Sequence, residues 1–353
     1  MTAEADITAS TDEHRPVEGR AGRGKALRRY LGFRNASALW VFAAMFILFA
    51  LWVPDTFLTS QTWRSLLDSN ALVALAAIGI TIVLAAGVFD LSIGTAVGVG
   101  AMLVAWGLST RGWPVGTTIA LTLLAGALIG LANGFLVVVV GIDSFIATLG
   151  VSSALGGLIL AISGGQQIVG IDAGFQSIAT TEILTIGLPV WIVLVIVLIT
   201  WYVLEKTLVG RHVYATGGNR DAARLAGVNT GRIVVGSFVA CSMIAALAGL
   251  LIVSRLGTGD PSTGPDFLLP TFSAAFLGAT QFRNGRFNVF GTLLAVYVLA
   301  VGVKGLQLAG ASFWVPSLFN GVALIVAVSL TLLRVRGTPR RAFWKRRSFA
   351  ASE

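Results

Sequence analysis

The sequence predicts an all-α polytopic membrane protein of about ten transmembrane helices, arranged as two inverted halves. Hydrophobic residues make up 56% of the chain and charged residues only 12%, against roughly 25% charged in soluble proteins. Several stretches exceed the roughly 18 consecutive apolar residues that mark a membrane helix, and the short alternating segments of a transmembrane barrel are absent. Lys and Arg gather beside the ends of apolar runs, where they set orientation and meet anionic lipid headgroups. That distribution argues against a nucleic-acid partner despite the net charge of +9.

Residues 1–35 read as a basic, cytoplasmic and largely disordered tail, since 1–24 are polar and lack apolar periodicity. The polar lead is too long for a removable signal peptide, so the first apolar run stays as a span. A membrane domain follows over 36–333. Its spans are expected near 37–54, 70–87, 91–109, 115–139, 144–163, 188–204, 233–253, 267–280, 288–305 and 315–333. The segment 334–353 reads as a basic cytoplasmic tail. An even number of spans puts both termini on one side. With that side cytoplasmic, only Arg64, Arg111, Arg255 and Lys304 of the 25 lysines and arginines fall outside, the asymmetry expected of a multi-pass protein.

Glycines repeat at helical spacing, as Gly126, Gly130 and Gly134 and as Gly94 and Gly98. Such stripes let helix backbones approach closely, so tight packing is expected along them. The second span breaks at Asp90, and the seventh ends in the Gly/Pro-rich "SRLGTGDPSTGPD" before a short eighth span. Two interrupted segments at matching positions of inverted halves suit a transporter with a central pathway.

Asp90 is the sole charge between Asp68 and Arg111. A carboxylate at bilayer depth costs at least ~2.5 kcal/mol, so its presence asks for a reason. It stands just before a new helix, where it can accept hydrogen bonds from the free N–H groups of Ser92 or Ile93. The expected role is a buried helix cap at the start of a pathway-lining helix. The alternative is a carrier in a proton- or ion-coupled secondary transporter. Ser92, Asn133, Ser144, Thr148, Thr271 and Ser273 are further pathway candidates, each equally able to satisfy a neighbouring backbone. Cys241 reads as a small buried side chain, and neither His14 nor His212 belongs to a metal-ligand spacing. No catalytic constellation, metal site or cofactor site is expected. The phosphate-loop pattern G-x-x-x-x-G-K-[ST] is absent: Lys25 follows Gly24 without the Ser/Thr, and Lys304 precedes Gly305.

The longest polar interruption, within 205–232, carries a compact helix signal. Asn219 can cap a helix beginning at Arg220, Asp221 suits its first turn and Gly227 can end it. Ala222, Ala223, Leu225 and Ala226 would offer a small, mildly apolar docking surface.

"GRHVYATGGNRDAARLAGVNTGR", with "GVFDLSIGTAVG", "GLANGFLVVVVGIDSFIATLG" and "LGATQFRNGRFNVFGTLLAVYVLAVGVKGLQLAG", resembles the permease subunits of bacterial ABC importers for ribose and related monosaccharides. The likeness covers roughly 36–333. It implies a multi-pass protein of the bacterial cytoplasmic membrane, paired with a second permease copy. It also implies a separate ATPase subunit and an extracytoplasmic solute-binding protein, with ATP hydrolysed by the partner. Gly217, Gly218, Asn219, Ala222, Ala223, Arg224, Leu225 and Gly227 fall on the family's coupling signature. One departure bears on substrate: Leu268 and Pro270 stand where the family usually carries acidic residues.

Overall fold

A computed structural model describes residues 37–281 and 285–336. The expected N-terminal tail and residues 337–353 of the expected C-terminal tail lie outside the described residues, as does Arg283. The helices, in chain order, are α1 Ser37–Trp52, α2 Pro54–Phe57, α3 Ser60–Ala85, α4 Ile93–Ala105, α5 Val115–Phe135, α6 Ser144–Ser163 and α7 Ala173–Thr180. After a two-stranded hairpin of β1 Glu182–Ile183 and β2 Ile186–Gly187 come α8 Leu188–Lys206, α9 Leu208–Gly218, α10 Arg220–Leu225 and α11 Thr230–Leu256. The chain continues as α12 Pro265–Ala279, α13 Val289–Leu308 and α14 Val315–Arg336. Single π-helical turns, Trp106–Thr110 and Leu136–Val140, extend α4 and α5.

Seven helices among the described residues are long and apolar enough to cross a membrane: α3, α4 with its π turn, α5 with its π turn, α6, α8, α11 and α13. Trp40–Trp52 of α1 and Val315–Thr331 of α14 are apolar but shorter. A helix underlies every expected span, and the ends agree to about three residues except at α3. That helix begins at Ser60, not at 70, because the Thr59 hydroxyl accepts the Thr62 N–H at 3.2 Å and starts it early. Its first turns carry Arg64, Ser65, Asp68 and Ser69, which an apolar window passes over.

The central helix is α11, packed against α5, α4 and α3. The glycine stripe of α5 lies along this contact, as expected. A Cβ on Gly126 would come within 2.8 Å of the Ser242 carbonyl, one on Gly130 within 2.6 Å of the Phe238 carbonyl, and one on Gly134 within 3.0 Å of the Val235 Cα. These are backbone neighbours, so any side chain would push the helices apart.

The segment 257–264 does not leave the bundle. Gly259 lies against Ala105 and the Ala101 carbonyl, whereas Gly264 lies against Gly98, Gly94 and Thr95. The chain therefore runs back along α4 before α12 begins, which is why α12 can be as short as 15 residues, or ~22 Å. Irregular backbone at this depth is tolerated because protein surrounds it. Pro270 is inside α12, where it offers no N–H to the Asp266 carbonyl one turn back. At this end of the bundle, Ile168 and Gly259 form an antiparallel bridge and Gln167 Nε2 donates to Asp260 Oδ2 at 2.6 Å. The Ser262 hydroxyl and N–H donate to the Asp260 carboxylate and hold its pKa below the usual carboxylate value.

Candidate functional site

The 205–232 segment folds into two helices, of which sequence reasoning found one. The Asn219 side chain accepts the Ala222 N–H at 2.9 Å and starts α10, whose Asp221 lies in the first turn. Gly227, at φ +84°, ends it in a left-handed turn. Asn229 then caps α11 through the Arg232 N–H at 3.1 Å. Leu225 is 90% exposed on the tip, with Ala222 and Ala226 beside it. The expected surface needs one correction: Ala223 is 5% exposed and turns inward, so it packs the helix onto the body. Arg220, Asp221 and Arg224 border a groove of about 550 Å³ that continues along 227–231.

The helix missed is α9. Thr207 caps it through the Gly210 N–H, and Val213 and Thr216 are buried while Arg211 and His212 are exposed. The signal was present as a Thr cap followed by apolar residues at 209 and 213, but the glycines at 210, 217 and 218 read as loop. Gly210 and Gly217 serve close approach, whereas Gly218 has open space around it. A Cβ on Gly217 would collide with the Ala85 carbonyl, and one on Gly87 would come within 2.8 Å of the Gly217 Cα. Gly87 itself has φ +80°, a turn conformation that side chains rarely adopt. A second clamp holds α9 to the turn before α13: Tyr214 Oη donates to the Phe287 carbonyl at 2.9 Å, and Arg286 stacks on the Tyr214 ring at 4.0 Å.

Three residues beyond Gly87 lies Asp90, with 0% of its surface exposed. Its Oδ1 accepts the Ser92 N–H at 2.9 Å, the Ser92 hydroxyl at 2.6 Å and, more loosely, Asn133 Nδ2 at 3.5 Å. Asn133 Nδ2 also donates to Ser92 Oγ at 2.8 Å. The neighbouring backbone is held from α6, where Ser144 Oγ accepts the Phe89 N–H at 3.1 Å and Thr148 Oγ1 accepts the Leu91 N–H at 3.0 Å. The break between α3 and α4 is thus satisfied by side chains of α5 and α6. Cys241 is also fully buried, with its thiol facing the carboxyl from α11, although Asp90 Oδ2 and Asn133 Oδ1 make no hydrogen bond of regular geometry.

The pathway candidates therefore divide. Asp90, Ser92, Asn133, Ser144 and Thr148 come together around one break. Thr271 and Ser273 belong to α12, where Ser273 Oγ donates to the Leu269 carbonyl at 2.6 Å and the Asn320 carbonyl at 3.1 Å. Thr271 is buried with its hydroxyl unpartnered. A cavity of about 240 Å³ lies between α3, α12, α13 and α14, with Asn70, Lys304, Gln307 and Asn320 among its mainly apolar wall residues. Sequence reasoning missed these residues, having taken Lys304 only as an outside charge; the signal was three polar side chains, at 304, 307 and 320, flanking one short loop.

Residues 64–328 match the family described as branched-chain amino acid transport system / permease component. The chain is 30% identical to the ribose import permease protein of Haemophilus influenzae, over 81% of this chain and 90% of that protein. It is 31% identical to the L-arabinose ABC transporter permease protein of Azospirillum brasilense, over 89% and 90%. It is 32% identical to the autoinducer 2 import system permease protein of Klebsiella pneumoniae, over 84% and 95%. No solved structure matches the chain.

Proposed function

Since the chain belongs to the permease-component family of branched-chain amino acid transport systems, we propose that it is the membrane-spanning permease subunit of an ATP-binding-cassette importer. On this reading it moves a monosaccharide or similar small polar solute into the cytoplasm by alternating access. The names of the relatives, which give ribose import, L-arabinose transport and autoinducer 2 import, support that solute class. A separate ATPase subunit docks on α10, an extracytoplasmic binding protein delivers the solute, and a second permease copy completes the pathway. Both termini and α10 face the cytoplasm, and two inverted halves of about five spans each rock against one another.

The observation that carries this reading is the mechanical connection from α10 to the break at Asp90. Leu225 projects from a short helix capped by Asn219 and ended by Gly227, with Asn229 capping the helix that follows. The preceding helix, α9, is seated by Gly217 on Gly87 and by Tyr214 on Phe287. Force applied at α10 thus reaches the start of α4 and the start of α13 through rigid, closely packed backbone. The carrier reading of Asp90 has no comparable connection behind it: Oδ1 holds the break, and Oδ2 makes no regular hydrogen bond.

Co-purification of the ATPase with the chain tests the reading. Leu225→Asp should abolish or sharply weaken the complex while the variant still inserts and folds. Full retention of the complex, with normal ATP-dependent uptake, would remove the coupling role.

A further inference from the structure

At the end of the bundle opposite α10, the 240 Å³ cavity between α3, α12, α13 and α14 gathers Ser65, Ser69, Asn70, Lys304, Gln307 and Asn320 in a wall that is otherwise apolar. Cavities that take drug-sized ligands run from about 300 Å³ upwards, so this one suits a smaller molecule. The side chains of Lys304, Gln307 and Asn320 have no hydrogen bond or ion pair among the described residues. Asn70 Nδ2 donates to the Leu66 carbonyl at 2.9 Å, which leaves its side-chain oxygen available. No Asp or Glu lines the space. At its rim Arg255 donates to Ser69 Oγ and to the Asp68 carbonyl, both at 2.9 Å, placing a second cation nearby.

Lys304 is a half-buried residue, and a cation in a membrane bundle is costly to the extent that water and counter-charge are kept from it. A lysine that merely extends its head to water needs no polar company. Here three carboxamides and two hydroxyls share one space with the cation, the complement of a ligand carrying an oxyanion and several hydroxyls. We propose that this cavity binds a small polyhydroxylated anion, its phosphate or carboxylate on Lys304 and its hydroxyls on Asn70, Gln307 and Asn320. Such chemistry has two sources, a soluble acidic or phosphorylated sugar and the glycerophosphate headgroup of a membrane lipid. The proposal does not depend on the transport reading.

The test uses the full chain in nanodiscs of phosphatidylcholine, alone or mixed with phosphatidylglycerol. Calorimetry reads binding of sn-glycerol 3-phosphate, D-glucuronate and neutral ribose, and native mass spectrometry reads retained phosphatidylglycerol. The expected result is that at least one anionic probe is held, more tightly than ribose where it is a soluble one. Lys304→Met should weaken it about tenfold or more, whereas Lys304→Arg keeps it. Binding of a soluble anion in phosphatidylcholine alone identifies the soluble source, and retention of phosphatidylglycerol alone identifies the lipid. Asn320→Ala, checked for an unchanged melting temperature, supplies a second variant and should weaken the same probe. The proposal is overturned if no anion is held above the phosphatidylcholine background, or if Lys304→Met and Asn320→Ala bind as the parent chain does.

Discussion

Gly217 and Gly87 meet backbone to backbone, so close that a Cβ on Gly87 would come within 2.8 Å of the Gly217 Cα. One belongs to the helix that leads into α10, and the other to the turn three residues before Asp90. A side chain at either position would force α9 off the break without touching the exposed face of α10. Gly217→Val should therefore leave ATPase binding intact and lower uptake at least about tenfold, the effect of losing ~1.4 kcal/mol of coupling. Uptake and pull-down assays on the same membranes separate the two effects.

Asp90→Asn should retain most transport. Its amide oxygen can still accept from the Ser92 N–H and hydroxyl, the bonds that hold the break. Asp90→Leu leaves the Ser92 N–H and hydroxyl without that acceptor, at about 1–3 kcal/mol per buried donor, and should lower melting temperature and membrane yield. A well-folded, assembled Asn variant with no uptake would restore the carrier reading.

Gly130→Ile tests the packing of α5 on α11. The added side chain meets the backbone of Phe238 and Val239, and neither can move without shifting a helix. The expected loss is about 1–3 kcal/mol or more, visible as a lower melting temperature. The same change at Gly116, which has nothing within 4 Å of a Cβ, should be nearly silent.

The strap formed by Gln167 and Asp260 should respond to acid. The Asp260 carboxyl is held below its ordinary value by Ser262, so its contribution is complete above the unfolded value near pH ~3.9. It is lost as the pH falls through the folded value. Hydrogen exchange at Ile168, whose N–H bonds the Gly259 carbonyl at 2.9 Å, should stay protected at neutral pH. After correction for intrinsic rates, it should open as the pH falls below the ordinary carboxylate range.

Apolar run length was enough to locate the membrane helices because lipid leaves the backbone no alternative to helix. The caps of α10 were equally legible, since Asn219 and Gly227 act on their own neighbours. What lay hidden depended on partners distant in sequence. Gly210 and Gly217 look like loop residues until α8 and the α3–α4 break are placed against α9. Ala223 looks like part of a docking face until α10 is set on the body. Ser144 and Thr148 could be named as polar, but only the fold shows that they take the Phe89 and Leu91 N–H groups. The wall around Lys304 brings together α3, α12, α13 and α14, a convergence that one-dimensional periodicity does not encode.

On the proposed function, α10 drives the break at Asp90 through the Gly217–Gly87 contact. The most direct measurement is the ratio of ATP hydrolysed to solute imported by the reconstituted complex, with Gly217→Val compared to the parent chain. The account predicts an assembled complex that still hydrolyses ATP but imports little, so the ratio rises about tenfold or more. An assembled variant with an unchanged ratio and unchanged uptake would contradict it.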